Sequence, residues 1–355
     1  LSKPFIGFQG PTGGKVAPRS VEQSEAMKGL QSGAIGLKQM WESNKVLVDS
    51  TAIQRQSEAL ALFDKADAGT SADDIKRTVR PGKTPTYAQE RAIVYASANP
   101  QLRQQMRDAI ERDIAGRTDF VDASLATIRQ YQADQQRVKG RVDEFTDIKS
   151  LKDFQDWLVF NGASGIVSMA PLLIAAATTG GAAPVVTGAL GYGMATGELA
   201  GDRIKAGEGA NAPGRFANPD RQDQATPAAN AAARGYVAKT ADSTYGAAAP
   251  FAALDVLLGP TAHVLARTLM KRAGQEPERL TVKGAIKETG KGTAEEFAAG
   301  GGQESIKVGA EVGLGEQENF ATPENAKRIF NSAMAEAAGG LVGGAGVSGV
   351  RLAAQ

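Results

Sequence analysis

Few residues in this 355-residue chain could do chemistry. It has no cysteine, which excludes disulfides, zinc–thiolate sites and thiol nucleophiles and leaves the chain indifferent to redox compartment. One histidine, His263, cannot build a multi-histidine metal site. It falls in the helical pattern Thr261–Arg272 and reads as a helix-face residue. Gly10–Pro11–Thr12–Gly13–Gly14–Lys15 has the composition of a phosphate loop. Its spacing of glycine before Lys and Ser/Thr does not fit, and no strand pattern leads into it, so it reads as linker. No cofactor and no metal site is expected, and the chain does not read as a self-contained enzyme.

Charge narrows the partners. Forty basic and 39 acidic residues leave a net charge of +1. Tight DNA binding needs a basic surface that displaces counterions, and the composition offers none. A near-neutral surface is compatible with DNA sliding past without sticking.

The elements that would position any site are helices. Gly and Ala are abundant and aromatics make up only 6%. A core short of aromatic volume must gain its contacts by close helix–helix approach, which small residues permit. The expected fold class is all-α: an elongated helical bundle with long helices and Gly/Ala-rich helical hairpins, oligomeric through neighbouring copies. The first residue is Leu1 rather than Met, which suggests a processed product or a piece of a longer chain, and no signal peptide opens it.

Five segments follow from composition. Residues 1–19, rich in Gly and Pro, read as an extended arm or linker. Residues 20–150 read as a polar helical domain. Ser20–Gln23 fits a capping box, opening a helix to about Lys45, with a second over Val46–Ala66. Ser71–Asp74 and Thr86–Gln89 cap two short helices. Pro100 stands where a helix favours its first residue, and a helix from Gln101 to about Thr146 would be about 70 Å long. Its apolar stripe suits either a solvated helix with i,i+4 ion pairs or a bundle strut.

Residues 151–206 read as an apolar helical hairpin. From Trp157 to Gly197 there is no charged residue. Trp157, Leu158, Phe160, Ile166, Val167, Leu172, Leu173, Ile174, Val185, Val186 and Leu190 are its candidate membrane or inter-subunit packing residues. Each half approaches the length of a bilayer span. Yet Asn161, Ser164 and Ser168 dilute the hydrophobicity, Pro171 and Pro184 are expected to break regular helix, and mean hydropathy is −0.24. Membrane insertion and burial within protein both remain open. Residues 207–225 read as a loop, and 226–355 as a Gly/Ala-rich helical domain. There Thr226–Pro227 and Thr322–Pro323 start helices, and Thr293–Glu296 is a capping box or a mid-helix acidic pair. Glu295, Glu296, Gln303 and Glu304 are its candidate inter-helix polar contacts.

The apolar hairpin, Gly191–Glu198, the stretch around Thr293–Glu296 and Gly302–Ser305 together resemble the large internal virion, or ejection, proteins of short-tailed bacteriophages. The resemblance covers mainly Trp157–Gln355. It implies a homo-oligomeric ring or tube that carries double-stranded DNA, without sequence specificity, across the host periplasm and inner membrane. It also implies contacts with other virion or ejection proteins, and localisation first in the virion, then in the host periplasm and inner membrane. Tape-measure proteins and toxin translocation domains share the Gly/Ala-rich style, so a pore-forming segment of a toxin-like protein and a soluble virion scaffold stand as alternatives. Some ejection proteins carry a lytic transglycosylase domain with a Glu–Ser pair. Glu304–Ser305 has that pair, but the Ser–x–x–Gly–Ala element expected after it is missing. A catalytic acid there would also need an enclosing cleft.

Overall fold

A computed structural model describes residues 24–142, 144–179, 183–210, 226–250, 253, 282–317 and 319–353. The described residues are mostly helical and contain no strand. Ten helices follow in order: α1 (Glu25–Asp67), α2 (Ala72–Arg77), α3 (Tyr87–Ser97), α4 (Pro100–Arg137), α5 (Leu151–Thr179), α6 (Ala183–Ala210), α7 (Pro227–Lys239), α8 (241–250), α9 (Val282–Gly313) and α10 (Pro323–Ala353).

Helix starts are chemically local and fall where their caps are. Ser71 and Thr86 each accept a hydrogen bond from the backbone N–H three residues on, and the side chains of Asp74 and Gln89 in turn accept one from the cap backbone N–H. Asn99 caps α4 with Pro100 at its first position, Thr226 caps α7, and Thr322 accepts from the Asn325 N–H. The cap of α1 is Ser24; the expected cap at Ser20 lies outside the described residues.

Four expectations are corrected. The helix expected to end near Lys45 and restart at Val46 is one unbroken helix, about 64 Å long. No Gly or Pro lies between Leu37 and Ala68 to interrupt it, and Val46 and Leu47 are fully buried at the supposed junction. The long helix α4 stops at Arg137, nine residues early. Beyond its C-cap Val138 the chain passes Gly140, which is pressed against the Phe160 ring. Pro171 does not break α5, which runs through it to Thr179. A proline removes one ladder hydrogen bond, and the flanking turns carry the helix past that loss. Pro184 falls in the first turn of α6, where the missing N–H costs nothing. Thr293–Glu296 lies in the middle of α9 and is no cap.

Helix α1 is the common partner. It packs on α3, α4, α5, α6 and α7. One core joins Val46 and Leu47 of α1 to Val121, Leu125 and Ile128 of α4, Ala200 and Ile204 of α6, and Ala233 and Val237 of α7. A second gathers Ala59 and Phe63 of α1 with Ile75, Ala92, Tyr95 and Ile110. Helices α9 and α10 pair with each other, and α10 also packs on α5.

Candidate functional site

Small residues recur on the inner face of α1 at Gly29, Gly33, Ser43 and Ser50, all buried. At about 100° per residue these positions fall on one side of the helix. Without side chains, the backbones come unusually close. A Cβ on Gly29 would stand 2.9 Å from the Cβ of Ala163, and one on Gly33 would stand 3.0 Å from the Cβ of Val167. Helix α6 uses the same device on the next part of α1: a Cβ on Gly197 would meet the Met40 carbonyl carbon at 2.9 Å. Gly207 against Tyr236 and Gly300 against Ser332 repeat it between α6 and α7 and between α9 and α10. Dispersion contacts between backbones replace the aromatic bulk that the composition lacks.

The apolar hairpin is partly settled by these contacts. Trp157 is only 2% exposed. It packs with Val142 and Ala338, with Leu158 beside it, and takes the Phe145 ring edge-on at 5.1 Å. Phe160 and Val167 are half-buried against the glycines of the α4–α5 connection and α1, whereas Leu190 is exposed. The side chains of Ile166, Leu172, Leu173, Ile174, Val185 and Val186 lie outside the described set. Among the described residues no helix is long and apolar enough to cross a membrane.

A buried ion network joins α6, α9 and α10. Glu304 is buried, and its Oε1 accepts from Nε and Nη2 of Arg328 at 3.1 and 2.7 Å. Lys307, one turn further along α9, lies 3.6 Å from Glu304 and donates to Glu198 of α6. Burial works against the Lys307 charge, but Glu198, Asp202 and Glu304 outweigh it and raise its pKa. Asp202 is pushed the other way: burial raises its carboxyl above the usual range in spite of Lys307 and Lys205. Arg328 also grips both oxygens of Glu311, at 2.9 and 3.0 Å. A second linkage sets the buried Arg203 of α6 and the Tyr236 hydroxyl of α7 on Glu316. Burial, then the Glu316 hydrogen bond, pushes the Tyr236 phenol up to about 12.

Both faces of the Glu304 carboxyl are therefore engaged by cations inside a helix interface. Glu304 is itself buried, which gives it the geometry of a structural ion pair. Gln303 beside it is half-buried, while the side chains of Glu295 and Glu296 and all of His263 lie outside the described residues. Lys307, unremarkable as a single residue, had one signal in Glu304, Lys307 and Glu311 falling at i, i+3 and i+7 on one face of α9; Arg328, on α10, had none nearby. No group of three His, Asp or Glu side chains among the described residues could hold a metal ion.

The surface carries the remaining feature. Trp41 is 66% exposed, and Val48 and Phe120 are also exposed. The Lys45 ammonium bridges the two aromatic rings, 6.0 Å from that of Trp41 and 5.9 Å from that of Phe120. These residues form an apolar strip along α1 and α4. The chain matches no protein-family model, no curated protein and no solved structure.

Proposed function

We propose that this chain is a structural subunit of a phage DNA-ejection conduit, a homo-oligomeric ring or tube through which the genome crosses the host periplasm and inner membrane. The observation that carries the reading is the exposed strip of Trp41, Val48 and Phe120 on two long helices. Large side chains gathered on a surface mark an interaction site, and in an assembling subunit a neighbouring copy covers them. Helices α1 and α4, about 64 and 57 Å long, are suited to a wall built of struts. The charge of +1 suits a lumen that lets DNA pass without holding it. The partners that would cover the exposed strip are other copies, other virion proteins and the host inner membrane.

Electron microscopy of the purified protein, with and without lipid vesicles, tests this. Closed rings or tubes with a lumen that admits a duplex support it. A strongly basic lumen, or monomers that neither assemble nor bind vesicles, would overturn it.

A further inference from the structure

Beside the exposed strip, α1, the first residue of α3, α4 and α8 enclose an open cleft of about 590 Å³. That volume lies within the range of small-molecule sites, roughly 300–1,000 Å³. Its charge is set by two arginines with different surroundings. Arg117 is already neutralised: its Nε donates to Asp113 at 3.0 Å and its Nη1 pairs with Asp49. Arg55, on the cleft lining, is exposed and has no carboxylate partner among the described residues. Arg117 holds two carboxylates and Arg55 none, so the cleft carries no net positive charge, but Arg55 is the guanidinium left to meet a ligand, a planar fork suited to carboxylate or phosphate oxygens.

The rest of the lining mixes the aliphatic Val48 and Ala52, the rings of Tyr87 and Tyr245, and the polar Thr51 and Gln56. Burial raises the Tyr245 phenol above its usual range, so it stays a neutral donor near neutral pH. Gln56 is buried, and its amide nitrogen donates to Asp113.

We propose that this cleft binds a small organic anion, a carboxylate or phosphate ester on an aromatic or aliphatic body, with Arg55 taking the anionic oxygens and Val48, Tyr87 and Tyr245 flanking the body. The body matters because one exposed guanidinium alone holds an inorganic ion weakly in water. The proposal requires neither assembly nor DNA, and it concerns the unassembled chain, in which Val48 is exposed.

Ligand-observed NMR on the full chain tests it with phenyl phosphate, benzoate, inorganic phosphate and phenol as probes. Phenyl phosphate or benzoate should bind at least about tenfold more tightly than inorganic phosphate or phenol, and Arg55→Gln should weaken the anion by about tenfold or more. The stronger of the two aromatic anions identifies the headgroup. Arg55 is exposed, so the variant should keep the helical circular dichroism of the parent. Arg112→Gln, an exposed arginine away from the cleft, should bind as the parent does. The proposal is overturned by no binding of either aromatic anion, by equal binding of phenol or inorganic phosphate, by unchanged binding in Arg55→Gln, or by an equal loss in Arg112→Gln.

Discussion

Gly33 faces Ser164 so closely that a Cβ on the glycine would stand 2.5 Å from the serine's carbonyl oxygen. That spacing is closer than any side chain tolerates, so the crossing of α1 and α5 depends on hydrogen at this position. Gly33→Val should destabilise the fold by about 1–3 kcal/mol, through displacement of the backbone. Gly36, three residues on, has nothing within 4 Å. Gly36→Ala should instead add about 0.5–1 kcal/mol by relieving the entropic cost of a mid-helix glycine. Urea denaturation of the pair checks both signs, and equal effects would refute the close crossing.

Lys307 is the hub for Glu198, Asp202 and Glu304. Lys307→Met keeps the volume and leaves Glu198 without its cation, while Glu304 keeps Arg328 and Asp202 keeps Lys205. A loss of about 3–5 kcal/mol is expected, with faster amide exchange along α9. A loss under about 1 kcal/mol would show that water, not Lys307, compensates those charges.

Asp67 accepts from the Tyr95 hydroxyl at 2.7 Å and from Arg107 at 3.0 Å. The Tyr95 bond, opposed in part by burial and helped by Arg107, lowers its pKa beneath 3.8. With the folded value depressed, this contribution to stability is complete above the unfolded pKa and is lost as pH falls through the folded one. Tyr95→Phe should move the Asp67 titration upward toward 3.8, read by carbon NMR of the carboxylates. No movement would mean that the hydrogen bond does not form in solution.

The two tryptophans report different places. With Trp157 replaced by Phe, emission from Trp41 should be red-shifted and readily quenched by acrylamide. With Trp41 replaced, the buried Trp157 should be blue-shifted and resist quenching. On assembly or vesicle binding, Trp41 emission should shift to the blue. If it stays solvent-like through assembly, the strip is not the interface.

Helix type and helix starts were legible because their causes sit within four residues: Ser71 with Asp74, Thr86 with Gln89, Asn99 with Pro100. What lay beyond reach depends on partners distant in sequence. Nothing local announces that Gly197 meets Met40, or that Arg203 reaches Glu316. The continuity of α1 past Lys45 followed from burial of Val46 and Leu47, which only the packed α4, α6 and α7 supply. Pro171 misled because a local rule about proline was outweighed by the turns on either side of it. Glu304 stood out for its chemistry, and its setting turned on Lys307 and Arg328, residues that look like ordinary surface cations in a sequence. Arg55 gave no signal at all, since a cleft is made by the helices around it.

The central place of α1 has a consequence for biosynthesis. It leaves the ribosome before the helices that cover its glycine face, which end at residue 210, roughly 140 residues later. At about 5–20 residues per second, α1 waits about 7–30 s for them. During that interval its bare backbone face is open to any other chain emerging nearby, including another copy of itself on the same message. A slow or paused ribosome in this stretch would therefore favour pairing between nascent chains over the fold of one.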